Sequence, residues 1–440
     1  MRLAWIAAPV AGMAALVGAL AWSAPEEGSR GDIWRQLELF ADVLARVEQD
    51  YVTEINEEEA IEAAIQGMLA SLDPHSSYMN AEEYRDMQVQ TRGEYGGLGI
   101  EVTSEEGVVR VVSPIDGTPA ARAGIQSGDY LTAIDGETIV GLTLNEAVRR
   151  MRGQAGTSIT VTVAREGAEP FDVTLTREVI NVRAVTARVE GGDIGIIRIS
   201  TFNERTGDML QEAIRTIRRD TGGRLRGVVI DLRNNPGGLL TQAIEVSDAF
   251  LDGGEVVSTR GRQREDIQRY NARRGDELEG VPIVVLINGA SASAAEIVAG
   301  ALQDRNRALI VGLDSFGKGS VQTVIPLQGG RDGALRLTTA RYYTPAGRSI
   351  QNSGITPDME VAARRVSAED IARLQRLGLS EADLPNALDT DEERQRRRAA
   401  HMPDDQPPED WDTAEDYQLK RAIDFLRQGV VVERLRARAG

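Results

Sequence analysis

Cysteine is absent from this sequence of 440 residues, which also contains only two histidines. The lack of cysteine excludes disulfides, thiolate metal ligands and a cysteine nucleophile. The histidines, His75 and His401, are too few for a histidine-rich metal site. A Ser-His-Asp triad would require one of these two as its base.

Lysine is almost as scarce, since only Lys318 and Lys420 among the 50 basic residues are lysine. Arginine keeps its proton inside a protein, whereas a buried lysine can lose its proton near neutral pH. The glycine-flanked Lys318 in SFGKGSVQT, residues 315–323, therefore suggests a site that requires a neutral amine. Lys420 lies in an ordinary helical pattern, which shows that scarcity alone does not prove such a site.

Basic residues are fewer than acidic ones, 50 against 68, which gives a net charge of −18. An acidic chain is a poor candidate for sequence-independent nucleic-acid binding, which requires a basic surface. We therefore expect no nucleic-acid partner. The hydrophobic share of 41% is typical of a globular chain.

The N-terminus carries no charge between Arg2 and Glu26, which predicts an export signal. The small residues Ala19 and Ala21 offer a cleavage site that would make residues 1–21 the signal peptide. The apolar run is also about as long as a membrane-spanning helix, so an uncleaved anchor is the alternative. Either interpretation places the rest of the chain outside the cytoplasm, in the periplasm or another extracytoplasmic compartment.

Beyond the N-terminus the sequence divides by character. Helical spacing of apolar residues predicts an N-terminal helical region over 32–92. Short β-rich runs between glycine turns predict a small β-barrel with two helices over 93–168. Nearly continuous apolar runs alternate with helical patterns over 169–365, which indicates an α/β core with strands buried on both faces. Residues 366–440 are predicted to form a charged linker followed by one amphipathic helix.

Ser293 lies where a buried strand that ends at Asn288 gives way to a helix. With Glu296 it forms an S-x-x-E pattern, in which the serine merely caps the helix by accepting backbone hydrogen bonds. Alternatively, Ser293 is a nucleophile, because a helix N-terminus offers free amides, such as that of Ala294, and a positive dipole end to an oxyanion. The residues alone leave both interpretations open.

A serine nucleophile requires a base. Neither histidine lies in the α/β segment, and His75 is interpreted as a loop residue beside Pro74 without an acidic partner. Lys318 follows a buried strand and is either this base or a surface lysine in a turn. Gln322, four residues later, would orient the amine or is an ordinary polar residue.

The segment DLRNNPGG, residues 231–238, closes another buried strand. It is either plain strand-to-helix punctuation or part of a site, since α/β folds place their sites at such strand ends. In the second interpretation Gly237 or Gly238 supplies an oxyanion donor beside the amide of Ala294. Taken singly, each of these signals is weak.

Together these segments resemble the C-terminal processing peptidase family, whose members are serine proteases with a Ser-Lys dyad. SASAAE, residues 291–296, is similar to the family's nucleophile segment, and Lys318 follows Ser293 by 25 residues, in the place of the general base. The resemblance implies a ClpP/crotonase-like α/β protease core with an inserted PDZ domain and N- and C-terminal helical regions. It further implies that Gln322 completes a Ser-Lys-Gln arrangement, that DLRNNPGG supplies an oxyanion amide, and that no metal or cofactor is needed.

Within the β-rich segment, GGLGI at residues 96–100 is similar to the loop with which PDZ domains bind a peptide carboxylate. The amides of Gly97, Leu98, Gly99 and Ile100 would hold the carboxylate while the peptide adds as a strand beside LGIEV. Without the resemblance, GGLGI would be interpreted as a glycine-rich turn.

The resemblance therefore predicts an exported, ATP-independent serine endopeptidase that cleaves proteins near their C-termini, with the PDZ domain binding the substrate tail. The expected partners are proteins with accessible C-terminal tails, an adaptor that delivers them, and further copies of the chain bound through the helical ends. Two alternatives remain, a catalytically silent PDZ scaffold and a crotonase-like acyl-CoA enzyme. Turnover of an unstructured protein or of an acyl-CoA would separate them.

Overall fold

The computed structural model describes residues 27–105, 107–263, 265–367, 369–370, 373, 380–389 and 402–439. The expected signal or anchor at 1–21 and the second histidine, His401, lie outside the described residues. The chain divides into two compact units, residues 1–64 and residues 65–440. None of the described helices is both long enough and apolar enough to span a membrane.

The first unit contains helix α1 (Glu27–Asp50) and the start of helix α2 (Glu57–Ala70). Asn56 is the N-cap of α2, since its Oδ1 accepts hydrogen bonds from the amides of Glu58 and Glu59 at 3.0 and 3.3 Å. The acidic first turn of α2 adds to this, because negative charge is favourable at the positive end of the helix dipole. The start of α2 is thus set by its own sequence.

The second unit begins with a short strand, a helix and a β-rich domain. Strand β1 (Ser77–Met79) is followed by helix α3 (Ala81–Arg92), which starts with a capping box between Asn80 and Glu83. The β-rich domain then comprises β2 (Glu94–Gly97), β3 (Ile100–Glu105), β4 (Val108–Pro114), α4 (Pro119–Arg122), β5 (Tyr130–Ile134), β6 (Glu137–Thr138), α5 (Leu144–Met151), β7 (Ser158–Ala164), β8 (Phe171–Thr176) and β9 (Glu178–Asn181).

Strands of this domain form one antiparallel sheet in the order β3-β4-β5-β7-β8, with β6 beside β5 and β3 at the edge. In β7, Ile159, Val161 and Val163 are at most 1% exposed, while the residues between them are not buried, so one face of the sheet covers the domain core. Helix α5 starts with a capping box between Thr143 and Glu146. β2 and β9 pair with each other where the chain enters and leaves the domain.

The α/β core follows. Its strands and helices are, in chain order, β10 (Val185–Glu190), β11 (Ile194–Ile199), α6 (Thr206–Asp220), β12 (Gly227–Asp231), α7 (Leu240–Asp248), β13 (Gly254–Arg260), β14 (Ile267–Ala272), β15 (Ile283–Ile287), α8 (Ala294–Asp304), β16 (Ala308–Gly312), β17 (Ser320–Pro326), β18 (Ala334–Tyr343) and β19 (Met359–Glu360). Six strands form a sheet in the order β10-β11-β12-β15-β16-β19, in which β10 is antiparallel to β11 and the other pairings are parallel.

The other core strands form a second sheet together with β1, in the order β1-β18-β13-β14, with β17 also paired to β18. The sequence pattern does not predict β14, β17 or β18. β14 is mostly exposed, whereas β17 and β18 are largely half-exposed, and none of the three carries a continuous apolar run. Pairing with neighbouring strands, rather than burial of both faces, makes them strands.

Apolar side chains cover both faces of the six-stranded sheet. Helices α6, α7 and α8 contribute to the cluster that contains Val228 and Ile230, whereas two C-terminal helices, α9 (Tyr417–Gln428) and α10 (Val430–Ala439), contribute to the one that contains Val229. Successive residues of a strand point to opposite faces, which explains the alternation. The expected α/β core with an inserted β-rich domain and helical ends is confirmed.

The C-terminal amphipathic pattern was expected to form one helix, and this prediction is wrong. The chain breaks at Gly429, whose φ of 78° lies in the left-handed region. Glycine adopts this conformation without a steric penalty and therefore commonly ends helices. The two short helices that result pack against the same face of the sheet.

Candidate active site

Ser293 lies between the carboxyl end of β15 and the first turn of α8, where sites are commonly built in α/β folds. Its φ is 54° and its ψ is −112°, a conformation that costs a residue with a side chain about 1–3 kcal/mol. The turn is held because the Ser293 amide donates to Glu296 at 2.7 Å and the Ser293 carbonyl accepts from the amide of Ile297 at 3.0 Å. Backbone strain at the head of a buried helix is typical of a functional position.

Gly237 and Gly238 lie against this turn. A Cβ atom on Gly237 would come within 2.8 Å of the Cβ of Ser293 and 3.0 Å of the amide nitrogen of Ala294, so the close approach requires glycine. The Gly237 amide donates to Oδ1 of Asn235 at 2.8 Å. Within the part of the chain that the structure describes, the amides of Gly238 and Ala294 make no hydrogen bond. Of the three predicted oxyanion donors, these two have a free N–H.

The turn that carries these glycines is tied to the C-terminal helix α9. Arg233 is only 9% exposed, and its guanidinium donates to the carboxylates of Asp231 and Asp416 at 2.6 to 2.9 Å. Asp416 is also the N-cap of α9, because its carboxylate accepts from the amide of Leu419. The ion pairs therefore hold the DLRNNPGG turn between the sheet and α9.

Glu296 connects the serine turn to the loop of Lys318. Its side chain is fully buried, and its two oxygens accept from the amide of Ser293 at 2.7 Å, the hydroxyl of Ser315 at 2.6 Å, and the amides of Gly317 and Lys318 at 2.7 and 2.9 Å. Burial raises the pKa of the Glu296 carboxyl to about 7, against the effect of these hydrogen bonds. The helix-cap interpretation of S-x-x-E captured the contact to Ser293 and missed the other three.

Replacing Glu296 by glutamine is expected to lower kcat/KM about 100-fold, because displacement of the serine and lysine loops misplaces the predicted nucleophile and base. The amide NH₂ of glutamine cannot accept the two hydrogen bonds that one carboxylate oxygen now receives. Each buried donor left unpaired costs about 1–3 kcal/mol, so the melting temperature falls as well. Initial rates on an unfolded protein and thermal denaturation measure the two effects.

The matched control for Glu296→Gln is Glu83→Gln, since Glu83 closes an exposed capping box at the start of α3. This variant is expected to keep both rate and melting temperature near their original values. Unchanged kcat/KM in Glu296→Gln would contradict the connecting role of the carboxylate.

The Lys318 loop is packed closely against a second segment of the core. A Cβ atom on Gly319 would lie 2.2 Å from the amide nitrogen of Gln351, and Gly317 has a φ of 95°. The loop is also bonded to this segment, because the Asn352 amide donates to the Gly317 carbonyl at 2.8 Å. Both glycines that flank Lys318 are therefore required by the backbone.

Lys318 is half-buried, and four charged side chains act on its amine. Burial lowers the pKa of this amine, the Arg336 guanidinium adds to the effect, and three carboxylates oppose it, namely those of Glu381, Glu296 and Asp73. Among the described residues the amine makes no hydrogen bond and no ion pair, and none joins it to the Ser293 hydroxyl. A lowered pKa makes the neutral amine available at lower pH, and a neutral amine without a fixed partner can accept a proton.

Gln322 is not in hydrogen-bond contact with Lys318. It faces Thr338 across the β17–β18 pairing, and its Nε2 donates to the hydroxyls of Ser320 and Thr338 at 2.9 and 3.1 Å. The Thr338 hydroxyl in turn donates to Oδ1 of Asp73 at 2.9 Å. Gln322 therefore reaches the lysine loop through Ser320. Through Thr338 it reaches Asp73, an acid that no local sequence pattern singles out.

His75 lies in a loop, as expected, but the absence of an acidic partner was wrong. Its Nε2 is 2.8 and 2.9 Å from the two carboxylate oxygens of Glu381, which lies 306 residues later in the chain. A partner so distant in sequence cannot be inferred from local context. The only available signal was the polar cluster DPHSS itself, in which Asp73 accepts hydrogen bonds from Ser76.

The predicted carboxylate-binding loop lies between β2, which ends at Gly97, and β3, which begins at Ile100. Gly99 has a φ of 75°, and its carbonyl accepts from the Ile115 amide at 2.8 Å, so the loop is fixed. Within the described chain, the amides of Leu98 and Gly99 make no hydrogen bond. Since β3 is the edge strand of its sheet and no other described strand pairs with it on its outer side, the loop adjoins a free strand edge.

Sequence profiles of known families match three parts of the chain. Peptidase family S41 matches residues 193–361, a PDZ domain matches residues 110–165, and the N-terminal domain of the activating protease CtpB matches residues 20–83. The S41 match includes Ser293 and Lys318. The PDZ match begins after the GGLGI loop.

Relatives resemble the chain over most of its length. A carboxy-terminal-processing protease of Bartonella bacilliformis is 55% identical over 330 residues, 74% of this chain and 75% of that protein. The carboxy-terminal processing protease CtpA of Bacillus subtilis is 34% identical over 319 residues, 72% of this chain and 66% of that protein. The solved structure of a photosystem II D1 C-terminal processing protease is 28% identical, with a TM-score of 0.44, over 82% of this chain and 95% of that one. The chain therefore belongs to the carboxy-terminal processing proteases of peptidase family S41 and is a serine-type peptidase.

Proposed function

We propose that the chain hydrolyses peptide bonds with Ser293 as nucleophile and Lys318 as general base. The observation that carries this proposal is the buried carboxylate of Glu296, which bonds the backbone of Ser293 and that of Lys318 at the same time. This contact brings the serine turn and the lysine loop together beside the amides of Gly238 and Ala294, which have no hydrogen-bond partner among the described residues.

In this mechanism Lys318 carries the proton between the Ser293 hydroxyl and the leaving amine. Neutral Lys318 accepts the proton of the Ser293 hydroxyl while its oxygen attacks the scissile carbonyl. The amides of Ala294 and Gly238, or of Gly237 once it leaves Asn235, hold the oxyanion. Lys318 passes the proton to the leaving amine, and water then releases the acyl group by the same route. The cycle balances without ATP or a cofactor.

We further propose that the β-rich domain binds the C-terminal tail of the protein substrate. A peptide added to the free edge of β3 would run towards the Leu98 and Gly99 amides, which have no partner within the described chain. Backbone amides in such a nest bind a carboxylate, and the strand edge supplies main-chain hydrogen bonds. Cleavage near the C-terminus follows because the tail is held.

Blocking the carboxylate of the tail should weaken substrate binding. A substrate peptide with an amidated C-terminus is expected to have a KM about 10-fold higher or more, because hydrogen bonds to a charged group contribute about 1.5–3 kcal/mol each. Steady-state kinetics separate this from a change in kcat. A peptide in which an internal glutamate is replaced by glutamine loses the same charge and should keep its KM; equal effects of both changes would argue against carboxylate recognition.

Self-association is proposed through the first helix. On α1 the apolar side chains of Trp34, Leu37, Phe40 and Val43 are 68%, 52%, 44% and 53% exposed and recur at helical spacing. An exposed stripe of this kind packs well against another helix, and a second copy of the chain offers the same stripe in a symmetric pair. Sedimentation analysis measures the stoichiometry. An adaptor that delivers substrates would be an additional partner.

We also propose that the chain works outside the cytoplasm, exported by its apolar N-terminus and cleaved at, or anchored by, that segment. Fractionation followed by N-terminal sequencing tests the compartment and the cleavage together.

Incubating the purified chain with an unstructured protein tests the peptidase proposal directly. New C-termini should appear near the tail of the substrate by mass spectrometry, and no metal or nucleotide should be required. A silent scaffold would bind the tail without producing new termini. Hydrolysis of an acyl-CoA in place of the protein would instead support the crotonase-like alternative.

A further inference from the structure

A segment from the C-terminal region, residues 380–389, returns to the lysine loop. The amide of Glu381 donates to the carbonyl of Phe316 at 3.1 Å, two residues before Lys318. Further along the segment, the Leu388 carbonyl accepts from Nδ2 of Asn352 at 2.8 Å. The segment is therefore bonded both to the lysine loop and to the chain that packs against that loop.

The side chain of Glu381 is fully buried and also contacts the segment that packs against the lysine loop. Its carboxylate accepts from Nε2 of Gln351 at 2.9 Å and contacts Nε2 of His75 at 2.8 and 2.9 Å. Oε1 of Gln351 accepts from the amide of Gly319 at 2.9 Å. Glu381 thus holds the loop on both sides of Lys318, at Phe316 through its backbone and at Gly319 through Gln351.

Burying a carboxylate is costly unless it is paired. The mechanism proposed for Ser293 and Lys318 gives this buried acid no task. Yet among the charged groups that act on the Lys318 amine, Glu381 has the largest effect on its pKa. The smaller effects come, in order, from Arg336 on β18, Glu296 on α8 and Asp73 before β1. A hydrophobic residue in its place would keep only the backbone contact to Phe316 and would supply neither this charge nor the contact to Gln351.

We propose that Glu381 is a positioning residue for peptide hydrolysis, which fixes the lysine loop and places a negative charge near the Lys318 amine, with His75 and Gln351 holding its carboxylate. This inference rests on the proposed role of Lys318 as the base. It assigns a function to a segment that lies outside the region matched by the S41 profile. His75, which precedes Glu381 by 306 residues, then acts on the same amine indirectly, by holding the Glu381 carboxylate.

The scarcity of lysine allows a direct test that does not depend on activity. In the full-length chain, Lys420→Arg leaves Lys318 as the single lysine, and its titration can be followed by NMR with [¹³Cε]lysine. Lys420 lies over the ring of Trp411, a position that arginine also suits. Glu381→Gln in this background keeps the size of the side chain and removes its charge. We expect the pKa of Lys318 to fall by about one unit, a tenfold change in the acidity of the amine.

In Glu381→Gln the rise of kcat/KM with pH should shift to lower pH by the same amount, about one pH unit. Asp383→Asn is the matched control, since Asp383 lies in the same short turn, is exposed, and bonds only its neighbour Ser380 among the described residues. It should leave the pKa of Lys318 unchanged.

The sign of the shift decides between a charge effect and a merely structural one. If Glu381→Gln only released the segment, the amine would gain solvent and its pKa would rise. A rise, or no change, overturns the proposal. Should Glu381→Gln fail to fold, Glu381→Asp, which keeps the charge one methylene further away, is expected to give a smaller fall, and a rise there overturns it equally. Absence of cleavage by the unmodified chain would refute the proposed peptidase function while leaving the NMR result to judge Glu381.

Discussion

Ser293→Ala is expected to lower kcat by about four to six orders of magnitude, because the acyl-enzyme can no longer form. The variant should still fold. Alanine keeps the amide that bonds Glu296, and the hydroxyl takes no part in that contact. Binding of a tail peptide should also be unchanged, since the strand edge of β3 and the amides of Leu98 and Gly99 remain. Product analysis by mass spectrometry and fluorescence anisotropy with a labelled peptide measure the two properties separately.

Ser158→Ala provides the control for the loss of a hydroxyl, because Ser158 is exposed on β7, outside the proposed site. Its rate should match that of the unmodified chain. Residual cleavage by Ser293→Ala at more than a trace would exclude Ser293 as nucleophile. Loss of both cleavage and folding would leave Glu296→Gln and Lys318→Arg to test the same site.

Lys318→Arg should lower kcat/KM by about 10²–10⁴-fold, the usual contribution of a general base. Arginine keeps the positive charge but cannot release its proton in a protein. The pH dependence adds a second criterion. Since burial lowers the pKa of the Lys318 amine, the neutral form becomes available below the ordinary range of lysine, and activity of the unmodified chain should rise with pH through that lowered pKa. Lys318→Arg should show no such rise.

The chain contains a strict control, because Lys420→Arg makes the same substitution at the other lysine. Lys420 lies on α9 over Trp411, away from the proposed chemistry, and its replacement should leave both rate and pH profile unaltered. Equal rates for Lys318→Arg and Lys420→Arg would rule out a lysine base. Rate profiles between about pH 5 and 11 cover the ordinary lysine pKa and values below it.

Much of the architecture was predictable, because a strand that is buried on both faces requires consecutive apolar residues. Strands β12, β15 and β16 are buried along their whole length and appear in the sequence as apolar runs. Strands β17 and β18 lack that signal, since each has a partly exposed face. Their existence depends on pairing with each other and with β1 and β13, which is a property of the assembled sheet.

The proposed site likewise has a part that local sequence could predict and a part that it could not. Local sequence was enough to single out Ser293, at the head of a helix, and Lys318, as a rare lysine between glycines. It could not show that Glu296 bonds the backbone of both, or that Gln322 turns to Thr338. Nor could it show that His75 meets Glu381. A helix cap or a tight turn involves neighbours in the chain, so its residues must appear together in the sequence. The other contacts join segments that only the packing of two sheets and the returning C-terminal segment bring together, and no local pattern records them.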